Sequence, residues 1–403
     1  MSAERWLIVE FRQICQKKRL IMILEYGVSN YLSFKDGGVI SFRLDGHVPD
    51  SVSGGLNYAT IFCVKGANGS GKTHLLKGIA FLSSFISTSF TSYAVDEDIS
   101  IAPFGSSKDF SSFYVDFLID DDEYRYELDA HPDHVVREVL FRKRKRRTQL
   151  FERKGDVIVA AVNEFEWMKH LKYRKNASVI STAHQHEIPD FKKIYDLFFG
   201  IRFNVSCEGL QESDFANISE VSKFLSDKDD ARQAVEIFLK DCDTGVSEIK
   251  ILNERSSNSK KNIYYPIFLH KCGDEEIWVP IGTESKGTVQ LFRQAVAYFF
   301  TIKSGTMLVM DELDQYLHPD LINKILKLFL SKNLNDRGAQ LLFTSHQNDV
   351  MDICGKYRTS LVAKKNNMSY TYRLDELPGD MLRNDRPISP LYKSGRLGGV
   401  PEL

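Results

Sequence analysis

The glycine-rich segment 66–73, Gly-Ala-Asn-Gly-Ser-Gly-Lys-Thr, constrains the fold of this chain more than any other feature. It fits the pattern G-x-x-x-x-G-K-[ST] in full, in which backbone N–H groups curl around phosphate oxygens. The apolar run Tyr58–Val64 before it is typical of a buried strand, and the apolar-rich segment from Leu75 onward is typical of a helix. A helix N-terminus adds its positive dipole end to such a loop. These flanks favour a nucleotide-binding loop over a chance glycine turn.

The loop predicts specific contacts with a nucleoside triphosphate. Lys72 is expected to act as a catalytic residue that reaches the β- and γ-phosphates, and the Thr73 hydroxyl is expected to ligate Mg²⁺. The residues predicted to bind the nucleotide here are Gly66, Asn68, Gly69, Ser70, Gly71, Lys72 and Thr73.

A second segment supplies two carboxylates. The apolar run Thr306–Met310 is typical of a fully buried strand, and it ends in Asp311 and Glu312. An open α/β sheet binds its ligand at this end of its strands. We therefore expect Asp311 to hold Mg²⁺ and Glu312 to polarise the attacking water as a general base. The segment 323–326, Asn-Lys-Ile-Leu, lacks the aspartate of the guanine-reading motif Asn-Lys-x-Asp, which favours ATP over GTP.

A histidine follows the next predicted strand. Gln340–Phe343 is a short buried run that leads to His346, and a histidine at this strand tip is predicted to contact the γ-phosphate. The alternative is an ordinary helix-capping or surface histidine, and the neighbouring Asp311 and Glu312 disfavour it.

A Ser-x-Gly turn opens the helical stretch before the Asp-Glu strand. Ser285 and Gly287 lie where the free N–H groups of a helix N-terminus form a second anion site. Because some two hundred residues separate this turn from the phosphate loop, it is free to read the nucleotide of a partner subunit. A simple helix N-cap is the alternative.

Composition excludes several classes of protein. The chain has 403 residues, enough for two or three domains, and a formal net charge of −1, so no global field attracts nucleic acid or an anionic membrane. Its six cysteines show no zinc-binding or C-x-x-C spacing, which predicts free thiols in a reducing compartment. The N-terminus lacks signal-peptide features, and Ile79–Val95 is rich in Ser and Thr, which predicts a buried helix. We therefore expect a cytoplasmic protein without a membrane partner.

The patterning divides residues 22–403 into four regions within an α/β fold. We predict the first half of an ATPase core over 22–101. An antiparallel β-subdomain is predicted over 102–162, and a helical insertion over 163–246. The second half of the core is predicted over 247–403.

A basic cluster, Arg142–Arg147, lies between two predicted strands. It is a solvated hairpin turn balanced by the acidic run Asp120–Glu123, a contact for nucleic-acid phosphates, or a contact for the acidic face of a partner. No aromatic residue interrupts the cluster, so stacking on bases is not indicated.

The order of these motifs resembles the SMC-like soluble branch of the ATP-binding-cassette (ABC) ATPases. More specifically, it resembles the bacterial AAA-type ATPases of the overcoming-lysogenisation-defect, Septu, PARIS and RloA-like anti-phage defence systems. The segments that carry the resemblance are Tyr31–Asp36, the phosphate loop, Asp311–Pro319 and Gly395–Pro401. The likeness begins near Met22, so the resemblance implies an N-terminal extension over residues 1–21 or, as an alternative, a start at Met22.

The resemblance implies an ABC-type P-loop ATPase head that forms a head-to-tail ATP-sandwich homodimer or higher oligomer. It implies that Ser285 and Gly287 of one subunit face the nucleotide on Lys72 of the other, and that Thr73 and Asp311 serve Mg²⁺. Glu312 is then the base and His346 the γ-phosphate sensor. Leu317-His318 replaces the Leu-Asp of transporter-type cassettes, which disfavours a transporter subunit. The family's glutamine between phosphate loop and Ser-x-Gly turn is not assignable among Gln149, Gln185, Gln211 and Gln233.

Two functional hypotheses follow. The first is an ATPase switch that controls a separately encoded effector, a nuclease or a toxin, in anti-phage defence, because the short stretch after His346 leaves little room for an appended nuclease domain. The alternative is an SMC-like DNA repair or recombination ATPase that acts on DNA directly. The lack of a long heptad arm and the near-neutral charge disfavour this alternative.

Overall fold

In the computed structural model, residues 21–206, 209–210, 217–255, 262–378, 381–384 and 386–400 are described. The predicted N-terminal extension therefore lies outside the described residues except for Ile21, which begins the first strand. Gln211 and Pro401 also lie outside them.

The strands of the described residues are short to medium in length and form four sheets. In chain order they are β1 (Ile21–Ser29), β2 (Gly38–Ser41), β3 (Ile61–Lys65), β4 (Ser111–Ile119), β5 (Asp122–Ala130), β6 (Val135–Lys143), β7 (Arg147–Lys154), β8 (Val157–Ala161), β9 (Arg202–Phe203), β10 (Val205–Ser206), β11 (Gly209–Leu210), β12 (Val246–Arg255), β13 (Asn262–Cys272), β14 (Glu275–Pro280), β15 (Met307–Met310), β16 (Gln340–Thr344), β17 (Thr359–Lys365) and β18 (Met368–Arg373).

The longest helix follows the glycine-rich loop, and we call it the phosphate-loop helix (Lys72–Ser92). Among the described residues, the other α-helices are Asp50–Ser53, Val179–Gln185, Lys192–Gly200, Ile218–Asp227, Asp229–Asp241, Lys286–Ser304, Pro319–Leu330, Val350–Cys354 and Ser389–Lys393. Short 3-10 helices span Phe104–Ser106, Asn163–His170, Pro189–Phe191, Ile281–Thr283, Lys356–Arg358 and Leu374–Glu376.

A six-stranded sheet forms the centre of the ATPase core, in the order β18-β17-β3-β16-β15-β9. All neighbouring strands from β17 to β9 run parallel, and β18 joins the edge antiparallel to β17. Every residue of β3, β15 and β16 is buried. Side chains of β3 alternate between two hydrophobic cores, with Phe62 and Val64 in one and Ile61 and Cys63 in the other. Burial on both faces explains the continuous apolar runs in the sequence.

A seven-stranded antiparallel sheet lies beside this core, in the order β2-β1-β4-β5-β6-β7-β8. The antiparallel sheet that we predicted over residues 102–162 is therefore present, but it also takes in β1 and β2. The residues of these two strands were assigned to the first half of the ATPase core, 22–101. Instead β1 pairs with β4 along nine residues of chain, from Ile21 to Ser29. Period-two patterning predicts a strand, but it does not specify the partner.

The region predicted as one helical insertion, 163–246, is mainly helical but divides in two. Helices Val179–Gln185 and Lys192–Gly200 pack on the phosphate-loop helix, whereas Ile218–Asp227 and Asp229–Asp241 pack on β12, β13 and the helix Lys286–Ser304. Between these two pairs lies β9, an edge strand of the central sheet that the sequence did not predict. Strands β12, β13 and β14 form an antiparallel meander after residue 246.

The C-terminal segment packs on the β17–β18 edge. Leu361, Tyr392 and Leu397 share a small hydrophobic core, and the hydroxyl of Tyr372 donates to the carbonyl of Leu397 at 2.6 Å. The segment Ile79–Val95 lies mainly in the phosphate-loop helix, most of whose side chains are buried. Within the described ranges, no helix is long and apolar enough to cross a membrane.

Candidate functional site

The glycine-rich loop connects β3 to the phosphate-loop helix, as predicted. Gly66 has φ 155° and Gly71, the helix N-cap, has φ 114°, conformations that L-residues rarely adopt. A Cβ atom on Gly66 would lie 2.2 Å from the carbonyl oxygen of Val362. The loop therefore has this shape only because glycine occupies these positions.

Two serines from distant parts of the chain support the loop. The Ser369 hydroxyl donates to the carbonyl oxygen of Ser70 at 2.6 Å and lies 2.8 Å from the Ser33 hydroxyl. Nδ1 of His74, in the first turn of the helix, lies 2.8 Å from the same Ser33 hydroxyl. Ser33 lies in the segment Tyr31–Asp36, which carries the family resemblance but predicted no role for this serine. No sequence pattern predicted a role for Ser369.

Lys72 folds back over the loop. Its ammonium donates to the carbonyl oxygens of Gly66 and Ala67, each at 3.0 Å. Burial lowers the pKa of Lys72, and the carboxylates of Asp311 and Glu312 oppose that shift. The ammonium is thus held at the loop by neutral carbonyls while two carboxylates lie near enough to favour its charge.

Asp311 is buried, and hydrogen bonds fix its carboxylate. Oδ2 accepts from the Thr73 hydroxyl and Oδ1 from the Thr344 hydroxyl, each at 2.6 Å. The backbone N–H of Asp311 donates to Asn204 Oδ1 at 2.7 Å, and Asn204 Nδ2 donates to the Asp311 carbonyl at 2.9 Å. The two residues predicted to serve Mg²⁺, Thr73 and Asp311, therefore meet although 238 positions separate them in the chain.

Glu312 has a left-handed backbone, with φ 52°, which is uncommon for a non-glycine residue. Its N–H donates to the Thr344 hydroxyl at 2.7 Å, and its side chain is 40% exposed. A constrained backbone that directs a carboxylate toward solvent is typical of functional positions.

His346 lies beside this carboxylate. Its Nε2 atom is 3.5 Å from Glu312 Oε1, and its backbone N–H donates to Asp314 Oδ2 at 3.0 Å. The ring is 53% exposed, as a surface histidine would be, but its contact with Glu312 places it at the same edge of the sheet. The structure therefore brings Lys72, Thr73, Asp311, Glu312 and His346 together.

The Ser-x-Gly turn is not part of this group within one chain. Ser285 caps the helix Lys286–Ser304, because its hydroxyl accepts from the N–H of Thr288 at 3.0 Å. A Cβ atom on Gly287 would lie 3.4 Å from the carbonyl oxygen of Tyr316, a residue in the turn after Glu312. The simple N-cap is thus the role that a single chain gives Ser285.

Three of the six basic residues in the cluster pair with carboxylates. Nε of Arg144 donates to both carboxylate oxygens of Asp122, at 2.8 and 2.9 Å, and Lys143 and Arg147 pair with Glu123 and Glu127. Strand β6 ends at Lys143 and β7 begins at Arg147, so the cluster is a hairpin turn. Of the three alternatives, this geometry favours the balanced hairpin.

Asn204 directly follows the edge strand β9 and exchanges hydrogen bonds with the backbone of Asp311. A two-residue strand gives no periodic signal, so sequence analysis could not find it. No sequence pattern predicted a role for any of the four polar residues that support this site, namely Asn204, Lys65, Asp314 and Thr344.

Comparison with protein families gives one match. The family described as "AAA domain, putative AbiEii toxin, Type IV TA system" matches residues 61–352, well over half of the chain. No curated protein matches the chain.

Solved structures of Smc heads are similar in fold. The crystal structure of the Smc head bound to the C-terminal winged-helix domain of ScpA has a TM-score of 0.53 and 14% sequence identity, covering 89% of this chain and 100% of that chain. The Smc head domain with a coiled coil and joint from Pyrococcus yayanosii has a TM-score of 0.49 and 12% identity, covering 93% and 100%. The SMC head domain from Thermotoga maritima has a TM-score of 0.44 and 13% identity, covering 87% and 98%. The first of these likenesses confirms the predicted ABC-type P-loop ATPase fold.

Proposed function

The chain belongs to this AAA-domain family, and from that premise we propose that it hydrolyses ATP at the edge of the central sheet where Lys72, Asp311 and Glu312 converge. One observation carries the proposal. The phosphate loop and the ends of β15 and β16 supply a lysine, a hydrogen-bonded Thr–Asp pair and a Glu–His pair 3.5 Å apart at one edge of the central sheet. Family membership and fold support an ATP-binding ATPase.

The residues fit a nucleotide and its magnesium ion. The Ser70 hydroxyl is buried and has no hydrogen-bond partner among the described residues, as expected of a loop that closes on a phosphate. Thr73 and Asp311 offer hard oxygen ligands of the kind that Mg²⁺ takes together with phosphate oxygens. A bound Mg²⁺ would neutralise part of the phosphate charge.

In the proposed mechanism, Lys72 binds the β- and γ-phosphates, with the loop N–H groups around them. Glu312 accepts a proton from the attacking water, because its carboxylate is exposed and its backbone N–H is held by the Thr344 hydroxyl. His346 contacts the γ-phosphate from beside Glu312 and orients the water.

Two substitutions test this assignment. Glu312→Gln keeps the shape of the side chain but removes the base, so we expect unchanged ATP binding and a kcat lower by about 10²–10⁴-fold. Lys72→Ala removes the phosphate ligand, so ATP binding itself should be lost. Titration with a fluorescent ATP analogue and phosphate release measure the two effects. Normal turnover by Glu312→Gln would mean that another residue is the base.

We propose that the active unit is a head-to-tail dimer in which Ser285 and Gly287 of one subunit complete the site of the other. The supporting observation is that both residues lie at the N-terminus of a 19-residue helix, yet the hydrogen bonds of Ser285 go to Glu284 and Thr288 and not to the phosphate loop. Such an N-terminus suits the γ-phosphate of a neighbouring subunit.

We propose further that this dimer is a switch for a separately encoded effector, a nuclease or toxin, in bacterial anti-phage defence. The family description, which names a toxin of a type IV toxin–antitoxin system, and the sequence resemblance support this assignment. Deleting the gene next to that of this chain should abolish protection against phage, as should Lys72→Ala. Protection that survives the deletion, or DNA-stimulated ATPase activity that is lost on neutralising Arg142–Arg147, would instead favour direct action on DNA.

A further inference from the structure

Lys65 joins the phosphate loop to the turn that carries His346. It is the last residue of β3, directly before Gly66, and only 3% of its surface is exposed. Its ammonium donates to the carbonyl oxygen of Ser345 at 2.7 Å and to that of Gln347 at 3.1 Å. These two residues flank His346 in the chain.

Asp314 holds the same turn by its N–H groups. Its carboxylate accepts from the N–H of His346 at 3.0 Å and from that of Gln347 at 3.3 Å. The turn therefore lies between a cation that binds its carbonyls and an anion that binds its amides. The imidazole itself makes one polar contact at 3.5 Å, to Glu312. The position of the ring is thus set by the backbone of the turn.

A lysine is a costly residue at this position. None of the ion pairs of the described residues includes Lys65, although the ring of Tyr392 lies 5.8 Å from its ammonium. Burial lowers the pKa of Lys65, and the more distant charge of Asp314 opposes that shift. A buried ammonium without a carboxylate partner costs stability, and an apolar side chain of similar length would avoid this cost. Stability therefore does not account for the lysine.

We infer that Lys65 is a positioning residue of the ATP site, which fixes the turn 345–347 relative to the phosphate loop and so keeps His346 beside Glu312. The inference rests on the proposed ATPase function, because that function has His346 contact the γ-phosphate. Lys65 does not touch the nucleotide in this scheme. It acts through two backbone carbonyls, and it makes the turn and the loop move as one unit.

Lys65→Met tests the inference, because methionine fills the same space without donors. We expect kcat to fall by about 10–100-fold, as a small misplacement of a catalytic group does, with little change in the KM for ATP. The thermal midpoint should stay the same or rise. A role in stability alone predicts the reverse, a lower midpoint with normal kcat. Lys365→Met, at an exposed position at the end of β17, is the control and should match the unmodified protein.

A double-mutant cycle tests whether Lys65 acts through His346. If it does, Lys65→Met should slow the His346→Ala variant by less than about twofold, because coupled residues are not additive. Equal slowing in both backgrounds would overturn the inference.

Hydrogen exchange separates this inference from the proposed function. Lys65→Met should speed amide exchange in residues 345–348 and leave the loop 366–367 unaffected. A chain with no ATPase activity would refute the proposed function, but the exchange measurement would still report on the Lys65 contacts. Unchanged exchange in the turn, in a variant with native circular dichroism, would overturn the inference. Should Lys65→Met not fold, Lys65→Leu, which also lacks donors, serves for the same measurements.

Discussion

At the scale of the residue, a single hydroxyl group holds both acidic residues of the site, one by its carboxylate and the other by its backbone. Thr344 donates to Asp311 Oδ1 at 2.6 Å and accepts from the N–H of Glu312 at 2.7 Å. Because Thr73 occupies the other oxygen of Asp311, the carboxylate has a hydroxyl donor on each side. Thr344 also ties down the left-handed backbone of Glu312. The orientation of both acidic residues therefore depends on one threonine.

Thr344→Val should lower both stability and activity. Valine keeps the shape but leaves Asp311 Oδ1 and the N–H of Glu312 without a partner, which costs about 1–3 kcal/mol in free energy of unfolding. The ATPase rate should fall because the Asp311 carboxylate loses one of its two hydroxyl donors and the backbone of Glu312 loses the group that holds it. Urea unfolding and phosphate release measure the two effects. Thr359→Val is the matched control, since this buried threonine on β17 donates only to the Gly355 carbonyl and should leave the rate unchanged.

The sequence predicts residues that contact a ligand better than residues that hold them. The loop 66–73 and the pair Asp311–Glu312 have a recognisable spacing, and the structure brings them together. Thr344, Asn204 and Lys65 are common polar residues whose partners lie far away in the chain, so no local pattern distinguishes them. Their roles depend on strand order, which a single sequence does not reveal.

At the scale of secondary-structure elements, a buried ion pair connects the antiparallel sheet to the helices around the phosphate-loop helix. Arg153 on β7 and Glu138 on β6 are fully buried and lie 3.2 Å apart. Glu138 also accepts from the N–H of Val179, at the start of the helix that packs on the phosphate-loop helix. Arg153 donates to the carbonyls of Arg174 and Ala177, each at 2.6 Å. The pair thus fixes the entry to that helix.

Arg153→Met should destabilise the protein by about 3–5 kcal/mol, because it leaves the charge of Glu138 buried without compensation. Arg137→Met is the control on the same sheet. Its ion pairs with Glu127 and Glu152 are partly exposed, so its loss should cost less than about 1 kcal/mol. Urea unfolding gives both values. Similar losses of unfolding free energy in the two variants would show that burial of the Arg153–Glu138 pair does not increase the cost of breaking it.

The destabilisation should depend on pH in a defined direction. Burial raises the pKa of Glu138, and the guanidinium of Arg153 opposes this shift. A carboxyl whose pKa is raised by folding binds its proton more tightly in the folded state, so stability falls as pH rises from the unfolded pKa through the folded one. Without Arg153 the folded pKa rises further. The penalty of Arg153→Met should therefore be smaller at pH 5 than at pH 8.

Hydrophobic patterning predicted most elements near the site but not all their partners. The predictions of strands β3, β15 and β16 are confirmed. These strands are recognisable because burial on both faces gives continuous apolar runs. The same patterning could not assign β1 to the antiparallel sheet, since the pairing partner lies some ninety residues away. It also missed β9, which is two residues long.

At the scale of the whole molecule, the candidate site lies at one open edge, where strands of the central sheet end. Asp311 is buried within this edge, whereas Glu312 and His346 are substantially exposed. The Ser-x-Gly turn adjoins the turn after Glu312 through Tyr316, whose surface is 60% exposed. An exposed acid, histidine and aromatic residue beside a helix N-terminus leave room for a second copy of the chain to cover the nucleotide.

The proposed dimer makes a prediction about Ser285 that a simple helix cap does not. Aspartate caps a helix as well as serine does, so Ser285→Asp should leave the stability and the ATP affinity of the monomer unchanged. In an ATP-sandwich it would place a carboxylate against the phosphates on the partner, and like charges at an interface cost several kcal/mol. In a Glu312→Gln background with ATP, sedimentation should therefore show a dimer that Ser285→Asp converts to a monomer. Asn217→Asp likewise introduces a carboxylate at a helix N-cap, that of the helix Ile218–Asp227, and this variant should remain dimeric. If Ser285→Asp dimerises as well as this control does, Ser285 is a helix cap alone and the partner's phosphates are bound elsewhere.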